Sequence, residues 1–217
     1  MTDAPDILWH GTRTGAAAIC VVVHGRGQTP EDMVSGVIAR LTAKGVAFAL
    51  PRAPGKSWYK AKAVDPLTDA TEAELAASLA LVRATVRAAG AAVPGRPLLL
   101  AGFSQGACLS LEYAFRHGPW DGALAALTGA RVGSASSAPD RPRSGLSGME
   151  VYLTGGDADP WIPTAAWAEA AADLAASGAH LVAEIFPGRP HEVSDAEAAA
   201  LDRMLSRMTA ATGARGA

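Results

Sequence analysis

Five consecutive residues, Gly102-Phe103-Ser104-Gln105-Gly106, fill the pattern G-x-S-x-G directly after the apolar run Pro97-Leu98-Leu99-Leu100-Ala101 and at the start of a helix-like stretch. A serine in that setting sits on a sharp strand-to-helix turn with its Oγ exposed above the sheet. The flanking glycines let the backbone bend and let neighbouring elements come close. A serine hydroxyl is a poor nucleophile at neutral pH. The chemistry therefore requires a general base, usually an imidazole, and a carboxylate that fixes the tautomer of that imidazole and stabilises its cation.

The chain supplies both groups downstream. His191 lies in Pro187-Gly188-Arg189-Pro190-His191, between the last apolar strand pattern and the last helical one, where its ring can lean back over Ser104. Asp159 lies in Gly155-Gly156-Asp157-Ala158-Asp159-Pro160, in the loop after the preceding strand. The order Ser104, Asp159, His191 is that of α/β-hydrolases. Asp157 competes for the acid role, with capping of its own turn as its other role. Among the remaining histidines, His24 is in an HGxG setting that suits support of a loop. His10, His117 and His180 fall in a terminal segment, at a helix end and at a strand start, and Glu192 reads as solvated. A tetrahedral intermediate needs two convergent donors for its oxyanion. The backbone N–H of Gln105 is one. The loop His24-Gly25-Arg26-Gly27, with glycines on both sides of Arg26, supplies the other from Arg26.

These residues need a scaffold that gathers strand ends. Ala17 to Val23 is a β-branched run that stops at the glycine-rich loop, the pattern of a strand buried on both faces. Thr29-Pro30-Glu31-Asp32 caps a helix whose apolar stripe is Met33, Val37 and Leu41 and which Gly45 stops. Gly45 to Leu50 reads as a strand and Ser57 to Thr68 as a loop. Leu75, Leu79, Val82 and Val86 then recur at helical spacing up to Gly90. Leu98 to Ala101 is the strand before Ser104, Gln105 to Arg116 its helix, and Gly122 to Leu127 a further strand. Gly133 to Gly148, rich in Pro and Ser, reads as a surface loop with a mobile tip. Glu150 to Leu153, Thr164 to Ala176 and Ala179 to Phe186 continue the rhythm as strand, helix and strand. Ser194-Asp195-Ala196-Glu197 forms a capping box before Leu201, Met204, Leu205 and Met208. Strands alternating with helices imply an α/β fold with a mostly parallel central sheet and helices on both faces. Such sheets place function at the carboxyl ends of their strands.

Composition bounds the partners. With 217 residues and no internal repeat, residues 1–217 are expected to form a single α/β-hydrolase domain with a minimal lid and an open cleft. A formal charge of −2 leaves no basic surplus for nucleic acid or a membrane surface, so the partner is a small molecule. The acidic start and the short apolar run Ala16 to Val23 argue against membrane insertion, and Cys20 and Cys108 read as buried hydrophobes. Both point to a cytoplasmic protein. A homodimer is left open. No spacing of His, Cys and acids suits a metal, and no dinucleotide fingerprint occurs, so neither metal nor cofactor is expected. Trp58, Tyr59 and Trp161 are the aromatics nearest the functional loops and candidates for the walls of an apolar substrate pocket. Core packing is the competing role for each, and Phe103 is expected to pack.

Taken together, HGRG at His24 to Gly27, GFSQG at Gly102 to Gly106, GDADP at Gly156 to Pro160 and the later His191 resemble the phospholipase/carboxylesterase family of small α/β-hydrolases over nearly the whole chain. That family includes acyl-protein thioesterases and bacterial carboxylesterases. The resemblance implies Ser104 as nucleophile, Asp159 as acid, His191 as base and the N–H groups of Arg26 and Gln105 as oxyanion donors. It also implies hydrolysis of carboxylic esters with small or medium acyl groups, with acyl thioesters or lysophospholipids as the alternative. A non-catalytic binding protein on the same scaffold is the alternative of another class. One position departs from the pattern. Relatives commonly carry a glycine just before the catalytic histidine, whereas Pro190 stands here and fixes φ.

Overall fold

The computed structural model describes residues 5–133 and 141–215. Among them, seven strands form one sheet: β1 (Ile7–His10), β2 (Ala18–Val23), β3 (Val46–Pro51), β4 (Leu98–Phe103), β5 (Gly122–Leu127), β6 (Glu150–Gly156) and β7 (His180–Phe186). Their order across the sheet is β1-β3-β2-β4-β5-β6-β7. β1 runs antiparallel to β3, and every other pairing is parallel. The chain leaves β2 toward one side for β3 and returns to the other side of β2 for β4. The crevice outside the carboxyl ends of β2 and β4 is therefore the topological switch point, where open α/β sheets bind ligands. Register puts Val23 opposite Gly102 there, so the glycine-rich loop and the Ser104 turn emerge side by side.

Both faces of the sheet are covered. Helices α2 (Asp69–Ala92), α3 (Gln105–His117) and α4 (Thr164–Ala176) bury Leu75, Leu79, Val82, Leu111, Phe115 and Leu174 against Ile19, Val21, Leu100 and Leu124. Helices α1 (Pro30–Gly36) and α5 (Asp195–Arg215) bury Met33, Leu201, Met204 and Leu205 against Cys20, Val22, Leu99 and Leu127. Adjacent strand residues thus point to opposite cores, which is why these strands read as unbroken apolar runs. By length and composition α2 is apolar enough to cross a membrane, yet Leu75, Leu79 and Val82 along it are buried on the sheet.

Several elements depart from the sequence expectation. β1 carries no apolar run long enough to mark it; it forms by pairing Ile7 through His10 with Pro51 through Phe48. The first helix stops at Gly36 instead of reaching Leu41, and a 3₁₀ turn, Ile38–Arg40, follows. Beyond that turn the Asp202 carboxylate of α5 accepts from the N–H groups of Thr42 and Ala43 at 2.7 Å each. A tertiary partner thus supplies what further helical turns would have provided. α2 runs two residues past Gly90, to Ala92.

The stretch from Gly133 to Gly148 is not simply a surface loop. Residues 134–140, which include the proposed tip, lie outside the described residues, but Arg141 is buried and its Nη1 donates to the carbonyl of Gly133 at 2.8 Å. Arg131, before the stretch, is the largest fully buried side chain. It pairs in a fork with Glu112 of α3 (2.6 and 3.1 Å), bonds Asp173 of α4 at 2.9 Å and stacks 4.0 Å over Phe115. This ion network fixes α3, the helix behind Ser104, to α4 and to the chain after β5. Removing Arg131 leaves Asp173 to Arg141 and Arg143 but leaves the buried Glu112 carboxylate with only the Val132 N–H and the more distant Arg116, 3.7 Å away. Arg131→Met is therefore expected to lower unfolding free energy by about 3–5 kcal/mol, as measured by urea denaturation.

Candidate active site

The turn after β4 has the geometry the sequence asked for. Ser104 adopts φ 55°, ψ −120°, a conformation that costs a non-glycine residue about 1–3 kcal/mol and clusters at functional sites. Its N–H is anchored on the carbonyl of Leu127 at 3.0 Å. Serine at a helix start ordinarily turns its Oγ onto the first-turn amides. Here the left-handed backbone prevents that, and no side-chain cap bond forms. The Oγ is instead 2.8 Å from Nε2 of His191.

His191 stands in the loop between β7 and α5, its ring tilted against Phe103 at 5.1 Å between centroids. Phe103 thus packs, as expected. Nδ1 of His191 is 2.7 Å from Oδ2 of Asp159. The Asp159 side chain is wholly shielded from solvent, and Oδ1 accepts the N–H groups of Trp161 (2.7 Å) and Ile162 (3.0 Å). A carboxylate held by three donors tolerates burial without its own shell of water. Because Asp159 only accepts, the imidazole proton sits on Nδ1, and the lone pair of Nε2 faces the Ser104 hydroxyl. Asp157 is a neighbour in sequence but not in role. Its Oδ1 accepts from Gly188 N–H at 2.5 Å and ties the β6 loop to the β7 loop, rather than capping its own turn.

The glycine-rich loop after β2 is held at every point except one. His24 is buried; its Nδ1 bonds the carbonyl of Gly25 at 2.8 Å, and its Nε2 accepts from Ala53 N–H at 3.1 Å. Gln28 Oε1 takes Gly25 N–H at 2.9 Å, and Gly27 N–H reaches Lys56 at 2.7 Å. The Arg26 guanidinium donates to the carbonyls of Lys60 (3.0 Å) and Ala61 (2.6 Å). Its own backbone amide is left out of these bonds. Gln105 N–H, the first amide of α3, likewise has no intrahelical acceptor. Arg26, Ser104, Gln105 and His191 all line one cleft of about 350 Å³.

The aromatic candidates divide. Tyr59 and Trp161 line this cleft, Trp161 at 59% exposure and Tyr59 buried beside Cys108. Trp58 does not. Its ring is buried in the core, its Nε1 donates to the carbonyl of His24 at 2.8 Å, and its N–H is held by Gln105 Oε1 at 3.0 Å. Trp58 lines instead a second cavity, with Pro54, Ser78 and Leu81, which Tyr59 also borders. Sequence reasoning missed Lys60 to Ala63 and Ile162 as lining residues. It also missed the Gln105 side chain, which grips Tyr59 O at 2.6 Å and so fastens this loop to the Ser104 turn. Cys108 lines the cleft as well, but burial pushes its thiol up to about 11, away from thiolate chemistry. Among the described residues no cluster of three or more His, Cys, Asp or Glu suits a metal.

A family profile described as Phospholipase/Carboxylesterase matches residues 11–209. The chain belongs to that family. A phospholipase/carboxylesterase from Dyadobacter fermentans superposes with a TM-score of 0.82 at 29% identity, covering 94% of this chain and 98% of that one. Fold alone is shared with acyl-protein thioesterase 2 of Zea mays (TM-score 0.75, 18% identity, 94% and 99% covered) and with the Bacillus cereus carboxylesterase (0.74, 13%, 95% and 96%). No curated protein matches the sequence. Membership in the phospholipase/carboxylesterase family makes this chain a hydrolase of the esterase type.

Burial pushes the His24 imidazole below the usual histidine range, against a smaller upward pull from its bond to Gly25. The unfolded chain then takes up a proton near pH 6.5 that the folded loop resists. Stability from His24 is complete above about pH 6.5 and is lost as pH falls toward its lowered folded value. His24→Gln, which keeps an acceptor for Ala53, is expected to flatten the fall of unfolding free energy as pH drops below about 6.5, as measured by urea denaturation at a series of pH values.

Proposed function

We propose that this protein is a cofactor-free serine esterase that cleaves carboxylic esters of small or medium acyl groups as a single domain in the cytoplasm. The observation that supports this reading most is the unbroken chain from the buried Asp159 carboxylate through His191 to the Ser104 hydroxyl, beside a largely apolar cleft. Nε2 of His191 takes the hydroxyl proton as Oγ attacks the ester carbonyl carbon. The oxyanion that forms faces the amides of Arg26 and Gln105. The imidazolium, stabilised by Asp159, returns the proton to the departing alcohol, leaving acyl-Ser104. Water then repeats the sequence and releases the acid. Tyr59 and Trp161 are the proposed apolar walls.

Acyl thioesters or lysophospholipids form the second reading, and one observation favours it. Arg26, Lys60 and Lys62 line the cleft, and among the described residues no carboxylate does. Lysophospholipids carry a phosphate group, as do acyl thioesters of coenzyme A, and these cations would attract it. A series of neutral esters, matching thioesters and a lysophospholipid separates the readings by kcat/KM. A protein that only binds would not be labelled by a fluorophosphonate at all.

Ser104→Ala is expected to fold normally, to lose fluorophosphonate labelling and to keep less than about 1% of wild-type turnover. Retention of more in a folded variant would remove Ser104 from the reaction. Asp159→Asn is expected to lower kcat by about ten-thousandfold, because an amide favours the wrong imidazole tautomer. Asp157→Asn should cost far less, since it loosens only the bond to Gly188. The reverse order, in variants that fold, would move the acid role to Asp157.

A further inference from the structure

We propose that Arg189 is a positioning residue of the reaction: its buried guanidinium holds the loop of His191 by the carbonyl groups on both sides of the base. The proposal rests on His191 being the base. Arg189 is 6% exposed, two residues before His191. Its Nη1 donates to the carbonyls of Pro190, at 3.1 Å, and of Glu192. Its Nη2 donates to Thr128 Oγ1 at 2.8 Å and lies 3.7 Å from Glu197 Oε1. One planar group thus ties the residue before the base and the residue after it to the end of β5 and the first turn of α5.

The far side of this clamp is itself closed. Thr128, fully buried at φ 59°, donates its N–H to Thr154 Oγ1 at 2.9 Å. Thr154 in turn donates to Glu197 Oε1 at 2.5 Å. Glu197, also fully buried, takes the N–H and the hydroxyl of Ser194 on Oε2, both at 2.7 Å. The Arg189 backbone is seated equally closely: a Cβ on Gly156, at the end of β6, would lie 2.3 Å from the Arg189 carbonyl oxygen. The ends of β5, β6 and α5 therefore meet at one side chain.

Two features separate this clamp from an ion pair that merely stabilises the fold. All three hydrogen bonds of the guanidinium go to uncharged oxygens, two of them backbone carbonyls flanking His191, while its carboxylate partner is the more distant contact. Pro190, moreover, offers no N–H through which the loop could be anchored at that point, so its carbonyl is the available handle. The ring must meet Asp159 at 2.7 Å and Ser104 at 2.8 Å at once. A displacement of about 1 Å from such a geometry costs on the order of a hundredfold in rate.

The test compares Arg189→Met, Thr128→Val and the double variant. Folding is followed by circular dichroism and urea denaturation, turnover on a neutral ester, and the downfield proton resonance of His191 Nδ1–H by NMR. Arg189→Met is expected to lower kcat at least about tenfold with KM changed by no more than about twofold. The Nδ1–H resonance should broaden through exchange with water. Thr128→Val, which removes the anchor and leaves the loop intact, should do the same more weakly, and the two losses should combine non-additively. A folded Arg189→Met with kcat within about twofold of wild type overturns the proposal. So does a loss of kcat with the resonance unchanged. If Arg189→Met does not fold, an unaltered kcat and resonance in Thr128→Val overturn it. The resonance does not depend on turnover, so it separates failure of the clamp from failure of the catalytic assignment, which Ser104→Ala tests.

Discussion

The close approach of α3 to the end of β2 is the constraint on which the rest of the site depends. A Cβ on Gly106 would stand 2.1 Å from the carbonyl oxygen of Val23 and 2.6 Å from that of His24, and one on Gly102 would stand 2.4 Å from the carbonyl oxygen of Gly106. No side chain fits at either place. With both positions empty, the helix starts immediately beyond the sheet, and the only way from β4 into α3 is the tight turn that puts Ser104 at φ 55°. Local strain of this kind persists only where the surroundings over-determine it. Leu127 holds the Ser104 amide, and buried Ala107, Leu111 and Phe115 hold the helix on the sheet. The same approach sets the first amide of α3 beside the loop that carries Arg26.

Around that turn, three loops are fastened by buried polar side chains rather than by their own apolar packing. Gln105 binds the loop of Tyr59, His24 and Gln28 bind the loop of Arg26, and Arg189 binds the loop of His191. Loops cannot bury much apolar surface, because their backbone groups need partners. A side chain with several donors or acceptors satisfies those groups and fixes position at the same time. The cost is desolvation, and the structure meets it by supplying partners: the imidazole of His24 engages both ring nitrogens, and the amide of Gln105 uses both its oxygen and its nitrogen.

The pattern of what could be read from the sequence follows from the same physics. That Ser104, Asp159 and His191 would come together was legible because each follows an apolar strand pattern in a parallel sheet, although β4 and β6 run two and three residues further than their apolar runs, to Phe103 and Gly156. Roles set by which way a side chain turns were not. Trp58 and Tyr59 look equivalent as letters, yet the hydrogen bond from Trp58 to His24 O draws one ring inward, and only Tyr59 faces the cleft. β1 and the early end of α1 depend on partners distant in sequence, Phe48 to Pro51 for the strand and Asp202 for the chain after the helix. Arg131 and Arg141 are charged residues in or beside a polar stretch, a context that ordinarily means solvent. Their burial rests on Glu112 and Asp173, which lie on two different helices.

Pro190 shows how a local departure is absorbed. A glycine before the histidine would let the loop bend freely and would keep an amide for anchoring; proline removes both. In exchange, its fixed φ narrows the conformations open to the unfolded chain at this point, and the loop's position is imposed by the Arg189 guanidinium, which anchors the loop on Thr128, and by the flat surface that Gly156 leaves on β6. A flexible loop held by its own amides and a stiff loop held by a side chain can deliver the same imidazole to the same serine. They differ in where substitutions do damage: in the stiff arrangement the sensitivity moves from position 190 to Thr128 and Glu197, which face the guanidinium, and to Thr154, which links the two.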